Sequence, residues 1–313
     1  MMLRVLILSS LFLFAASRVF AQTVEEGLFV EIGGIRQWVT VSGDNANAPV
    51  LLFLHGGPGN PPAGESLATL ALLRKKFLLV IWHQRESGRT LAENKSPVPL
   101  SSELLYTDTE QIAEWLKKKY PKNVLMVMGH SWGGHLAVRL AGSRPDLVSA
   151  CILVSPMIHQ EESERLALDS LKRWADRFRP EARRELDEIR LPLQDGRSLF
   201  LQRKWMAIHS DSPPAGEKFV REWSDRWLQV FQQASAADFN NQFPVIRCPV
   251  VFLIGRRDLQ THFRVAESYY QQLQAPDKKW FWFNRSGHAP HRSEPEYFLR
   301  IVNSLSNGFN SGH

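Results

Sequence analysis

The stretch Val124-Leu125-Met126-Val127-Met128-Gly129-His130-Ser131-Trp132-Gly133-Gly134-His135-Leu136 carries the fold of the chain in miniature. Its first five residues are an unbroken apolar run, the pattern of a strand covered on both faces. His135–Ser143 has the spacing of a helix. Between them lies Gly-x-Ser-x-Gly, and a serine on a sharp strand-to-helix turn forms a nucleophile elbow that lifts its side chain above a sheet. Gly129 and Gly133 suit this geometry, because larger side chains there would strike the neighbouring strand and helix. Ser131 is read as a nucleophile, the alternative being a structural serine in a glycine-rich turn.

Outward from the elbow, apolar runs alternate with helical patterns. Strands are expected at Leu28–Ile32, Ile35–Val41, Val50–Leu54, Leu78–Trp82, Val124–Met128, Ala150–Val154, Val250–Ile254 and Trp280–Phe283. Gly33-Gly34 marks a hairpin between the first two. Helices are expected at Gly64–Lys76, Ser102–Lys119, His135–Ser143, Phe263–Gln274 and Glu294–Leu305. This alternation predicts an α/β fold with a mostly parallel eight-stranded sheet and helices on both faces. Between residues 157 and 242 the strands vanish and helices remain, at Glu161–Phe178, Ser198–Ile208 and Glu217–Ala234. The expected division is a core of residues 22–156 and 243–313 with a helical cap of residues 157–242. Ligands bind at the carboxyl ends of strands in such sheets, where this insertion would lie.

A serine hydroxyl needs a base to take its proton and a third group to hold the base. The elbow architecture supplies them in the chain order Ser, acid, His. Asp258 follows the strand Val250–Ile254, and His288 follows Trp280–Phe283. His291 is the rival base, but Gly287 before His288 favours close approach to a crowded site. Two backbone donors must face the oxyanion. Trp132, after the nucleophile, supplies one. Gly57, in the loop His55-Gly56-Gly57-Pro58-Gly59 after the third strand, supplies the other, while His55 is read as tying that loop down.

The loop His55–Gly59, the segment Trp82–Thr90 and the elbow together resemble the α/β-hydrolase superfamily, within it the proline iminopeptidase-like serine peptidases. The resemblance spans Val30 to Leu305 and implies the α/β-hydrolase fold with removal of an N-terminal residue, typically proline, from small peptides. Two departures bear on specificity. The family's second motif reads D-Q-R-G-x-G-x-[ST], whereas this chain has His83 for the Asp and Glu86 for the first Gly. The family also grips a free amino terminus with cap carboxylates, partly through W-x-x-W-E. Here Trp223 and Trp227 are followed by Leu228, and Glu161, Glu162, Glu164, Glu217 and Glu222 are substitutes by composition. Substrate-binding candidates are therefore His83, Glu86, Trp205, Trp223 and Trp227. A carboxylesterase of small apolar esters is the alternative activity, and a non-catalytic ligand-binding relative the second alternative. Epoxide and haloalkane hydrolases share the fold but use a carboxylate nucleophile, which Ser131 argues against.

The chemistry calls for no cofactor or metal, and the histidines lack metal-ligand spacing. At the amino end, Arg4, the apolar run Val5–Ala16 and Val19-Phe20-Ala21 have the form of a secretory signal, residues 1–21, cleaved after Ala21. An uncleaved anchor is the alternative. The expected location is thus exported, periplasmic or secreted, with no stable membrane span. Losing Arg4 and Arg18 lowers the formal charge from +6 to +4. That charge is dispersed, and Lys117–Lys119 reads as the last turn of a helix, so nucleic acid is not an expected partner. The partner is a small molecule or short peptide; the sequence leaves the oligomeric state open. Cys151 and Cys248 each open an apolar strand, and two buried thiols are favoured over a disulfide.

Overall fold

The computed structural model describes residues 22–210 and 214–306; the expected signal segment lies outside the described residues. One sheet contains β1 (Val24–Ile32), β2 (Ile35–Gly43), β3 (Val50–Leu54), β4 (Leu78–His83), β5 (Leu125–His130), β6 (Ala150–Val154), β7 (Val250–Gly255) and β8 (Lys278–Phe283). Their order is β1-β2-β4-β3-β5-β6-β7-β8. Strand β2 pairs antiparallel with β1 and β4, and every other pairing is parallel.

The chain's helices are α1 (Gly64–Ala71), α2 (Gly88–Glu93), α3 (Ser102–Lys119), α4 (Trp132–Ser143), α5 (Gln160–Phe178), α6 (Pro180–Glu188), α7 (Gly196–His209), α8 (Glu217–Ser235), α9 (Phe239–Gln242), α10 (Phe263–Gln272), α11 (Pro290–Ser293) and α12 (Pro295–Leu305). Helices α5 to α9 fall between β6 and β7, so the insertion carries no strand of the sheet.

Strands β3, β6 and β7 are buried along their whole length. Their apolar runs feed two cores by turns, since successive strand residues point to opposite faces. Val50, Leu52 and Leu54 enter one core with Val127 and Leu153. Leu51 and Phe53 enter the other with Met126, Met128 and Ile152. Helix α12 closes the second core through Phe298, Ile301, Val302 and Leu305, one face at helical spacing. Helix α3 covers the first with Leu105, Ile112 and Leu116. Lys117, Lys118 and Lys119 occupy its last turn, where cations suit the dipole, and Lys119 reaches Glu26 at 2.7 Å.

Several elements differ from the sequence expectation. The helix expected over Gly64–Lys76 ends at Ala71 and finishes as a 3-10 turn, Leu72–Lys75, whose tighter winding seats Leu73 beside Leu70 in the second core. Strand β1 starts at Val24, because its ladder to β2 continues to Gly43. Helix α2 occupies a segment that gave no helical period. Cys151 and Cys248 are both free and buried. No helix among the described residues is long and apolar enough to cross a membrane.

Candidate active site

Register sets the site. Leu54 is opposite Gly129, so the ends of β3 and β5 lie side by side and the loop after β3 reaches the elbow. A Cβ on Gly133 would fall 1.8 Å from the Leu54 carbonyl oxygen, and one on Gly129 2.0 Å from that of Gly133. Only glycine fits either place. The turn they permit leaves Ser131 at φ 56° and ψ −118°, a strained conformation for a residue with a side chain. Its backbone is held from both sides: its N–H donates to the Val154 carbonyl at 3.0 Å, and its carbonyl accepts from Gly134 at 2.8 Å and Met157 at 3.0 Å.

The loops after β7 and β8 bring Asp258 and His288 to the same edge. His288 Nδ1 donates to Asp258 Oδ2 at 3.0 Å. With that nitrogen committed, Nε2 is the acceptor, and it has no hydrogen-bond partner among the described residues. Asp258 also accepts from the Gln260 N–H at 2.9 Å and the Thr261 hydroxyl at 3.0 Å. Burial works against its charge. The His288 ring and the hydrogen bonds from His288 and Thr261 outweigh that, holding the carboxyl below its usual range. His291 takes another role: its Nε2 faces the Ser66 hydroxyl at 3.2 Å, and burial, with the neighbouring His288, lowers it to about 4.

Of the oxyanion candidates, Gly57 lines the cavity beside Ser131, and Trp132, fully buried, does not. Trp132 is the first residue of α4, so its N–H has no carbonyl one turn back within the helix. Its indole donates to Gln84 Oε1 at 3.1 Å and stacks on His135 at 5.4 Å between centroids. Gly57 has φ 120°. Its neighbour Gly56 is the closer to Ser131, a Cβ built there lying 3.3 Å from Ser131 Cβ. His55 anchors the loop: Nδ1 donates to the Gly56 carbonyl at 2.9 Å, and Nε2 accepts from the Gln84 N–H at 3.3 Å.

Ser131, His288, Asp258 and Gly57 all border one cavity of about 660 Å³. Of the five substrate-binding candidates, Trp223 lines it and donates its indole N–H to the Pro58 carbonyl at 2.9 Å. The other four do not line it. His83 turns its Nδ1 to the Arg89 N–H at 3.0 Å. Glu86 stands at φ 55°, where the family motif has glycine, and its Oε1 accepts from the Ser96 N–H at 2.6 Å. Trp205 donates to Glu185 at 2.9 Å inside the insertion. Trp227 lies over Gly59, whose Cβ would meet its Nε1 at 2.3 Å.

Glu164 does not line the cavity either; it binds Arg203, which does. The charged lining residues are Arg203, Arg257, Arg285, Arg292 and Asp258, so among the described residues Asp258 is the one carboxylate on the wall. Three contributors escaped the sequence reading. Thr261 had a local signal, standing three residues after Asp258, and His130 directly precedes Ser131. Arg203 had none, because its place depends on the packing of α5 against α7.

The model of the Alpha/beta hydrolase family matches residues 51–301. The chain belongs to that family. Within this α/β hydrolase family, the chain is similar to the "Probable aminopeptidase YbaC" of Bacillus subtilis, with 29% identity over 87% of this chain and 93% of the relative. It is similar to the proline iminopeptidase of Heyndrickxia coagulans at 24% identity, over 89% and 98% of the two chains. Among solved structures, the proline iminopeptidase of Mycobacterium smegmatis superposes with a TM-score of 0.66 at 17% identity, covering 91% of this chain and 98% of that one. The Pyrococcus furiosus esterase Pf2001 gives 0.59 at 15% identity, covering 92% and 93%. The α/β-hydrolase fold is common to all, and this chain is a hydrolase similar to peptidases and esterases alike.

Proposed function

We propose that the chain is an exported serine hydrolase working through an acyl-enzyme on Ser131. The observation that carries this reading is the strained elbow of Ser131 sharing one cavity with a His288 whose Nε2 is free and whose Nδ1 is held by Asp258. Ser131 Oγ attacks the substrate carbonyl as its proton passes to His288 Nε2. Asp258 stabilises the imidazolium, and the N–H groups of Trp132 and Gly57 receive the oxyanion. The proton returns to the leaving group, and a water activated by His288 then frees the acid and Ser131. Export rests on the signal-like first 21 residues.

For the bond cleaved, the wall supports carboxylester hydrolysis. A protonated amino terminus needs an unengaged carboxylate, and the one carboxylate among the described lining residues is bound to His288. Removal of an amino-terminal residue is the second reading, supported by the relatives named as aminopeptidases.

A fluorophosphonate probe tests the chemistry. Wild type should label and Ser131→Ala should not; a folded wild type that stays unlabelled sinks the serine mechanism and leaves a ligand-binding role. Short-chain nitrophenyl esters against prolyl and alanyl arylamides test the bond. Arylamide cleavage without ester turnover would reverse the order of the two readings.

A further inference from the structure

We propose that the substrate carries a carboxylate, apart from the bond that is cleaved, and that Arg203 binds it. The inference rests on the acyl-enzyme reading above and adds the class of substrate.

Arg203 lies on α7 and lines the cavity, with 17% of its side chain exposed. Its guanidinium is fixed from behind. Nη1 and Nη2 both donate to Glu164, Nη1 at 2.9 Å to Oε2, and Nη1 also donates to Gln202 Oε1 at 2.9 Å. Glu164 is itself buried on α5, and Gln160 Nε2 donates to it at 2.6 Å. This arrangement uses the end of the guanidinium. A guanidinium has a second fork along its side, formed by Nε–H and the remaining hydrogen of Nη2. Neither of those hydrogens has a partner among the described residues. A planar pair of parallel N–H donors matches a carboxylate, and an arginine already locked in place loses little entropy in binding one.

The surroundings agree in sign. Arg257 and Arg292 border the same cavity, are exposed, and form no ion pair among the described residues. Arg285, also exposed, is held to Glu294 through its backbone N–H at 3.0 Å, while its guanidinium stands 3.8 Å from that carboxylate. A cavity mouth with that charge draws anions and repels cations. Beside Arg203, Gln160 Oε1 is buried without a partner, while the amide nitrogen is engaged by Glu164 and by the Gln260 carbonyl at 2.8 Å. It can accept one N–H or O–H from the same ligand. The same cavity also has apolar lining residues, among them Met157, Leu199 and Met206. An apolar spacer ending in a carboxylate suits that mixture of surfaces.

The test compares matched probes differing in one charge. On the acyl side, mono-para-nitrophenyl adipate is set against para-nitrophenyl hexanoate; on the alcohol side, the butyrate ester of para-hydroxybenzoate against that of para-cresol. In at least one pair, kcat/KM of the charged probe should exceed that of the neutral one by about tenfold, expressed in KM, as a charge-assisted fork contributes. Arg203→Lys keeps a cation against Glu164 but lacks the fork, so in the folded variant the preference should fall by about fivefold or more. Neutral probes favoured in both pairs, or an undiminished preference in folded Arg203→Lys, would overturn the proposal. Neutral ester turnover lost in Ser131→Ala shows that the hydrolase reading stands even when the proposal fails. Absence of both turnover and fluorophosphonate labelling in wild type brings down that reading, and the proposal with it.

Discussion

His130 Nε2 donates to the backbone carbonyl of His288 at 2.8 Å, so the residue before Ser131 holds the loop that carries His288. Burial, with the neighbouring His291 and His288, lowers the His130 pKa far below its ordinary value, which keeps the ring neutral and Nε2 a donor only when the proton sits there. The ring packs 4.9 Å from His288 and 4.8 Å from His291, centroid to centroid. His130→Phe keeps the bulk and removes the bond. A misplacement of about 1 Å in the base costs on the order of a hundredfold, so kcat should fall by roughly ten- to a hundredfold with KM little changed. Steady-state kinetics alongside circular dichroism checks this. An unaltered kcat in a folded variant would show that the bond does not position His288.

Little of that bond was legible in the sequence, although most of the frame was. Strand and helix periods are local, so Val50–Leu54 and Ala150–Val154 could be read from a few residues and the order of Ser131, Asp258 and His288 followed from the topology they imply. The pocket wall is a different matter. Glu164 and Arg203 stand 39 positions apart and meet only when α5 packs on α7. Trp205 and Trp227 looked like pocket aromatics by composition, yet one is tied to Glu185 and the other to Gly59. Side-chain direction in a helical insertion depends on tertiary packing that no period records.

Asp258→Asn tests the orienting carboxylate. The amide can present its nitrogen to His288 Nδ1 and favour the wrong tautomer, for which the loss in kcat is roughly 10⁴ in serine triads. Thr261 and the Gln260 N–H still support the side chain, so folding should survive. A loss below about tenfold would remove Asp258 from the proposed mechanism.

The conformation of Ser131 gives a stability test with a sign. At ordinary positions glycine is less stable than alanine by about 0.5–1 kcal/mol. At φ 56° and ψ −118° the order should reverse, because alanine keeps the strain, about 1–3 kcal/mol, that glycine relieves. Urea unfolding of Ser131→Gly and Ser131→Ala, both lacking the hydroxyl, measures the difference. Alanine proving the more stable would mean that the turn is unstrained.

Acid should destabilise the fold well above the carboxylate range. Burial lowers His55 and His135 each to about 3 and also holds His130 well down, whereas an unfolded histidine titrates near 6.5. The unfolded chain therefore binds protons that the folded chain refuses. Stability is complete above about pH 6.5 and falls as the pH drops toward 3, by roughly 4 kcal/mol per pH unit for three such groups. The lowered Asp258 carboxyl adds to this loss below about pH 4. Urea midpoints at several pH values between about 7 and 4.5 provide the measurement. A flat profile would contradict the buried neutral histidines.

The most costly single change outside the cavity should be at Arg85, one of the second-motif residues that this chain retains along with Gln84, Gly88 and Thr90. Arg85 and Asp108 are both fully buried, and their contact is bidentate, Nε to Oδ2 at 2.8 Å and Nη2 to Oδ1 at 2.9 Å. Arg85 Nη2 also donates to the Gly33 carbonyl at 2.7 Å, and Gln37 donates to Asp108 at 2.8 Å, so the pair joins the β1–β2 turn, the loop after β4 and α3. Lysine cannot reproduce the fork. Asp108→Asn leaves the guanidinium buried without its counter-ion, for which the cost is about 3–5 kcal/mol, while the same change at an exposed pair such as Arg36–Glu93 costs about 1 kcal/mol or less. Thermal unfolding of Asp108→Asn, Arg85→Lys and Glu93→Gln side by side should show two large drops and one small one. Three equal shifts would mean that the buried pair contributes no more than a surface contact.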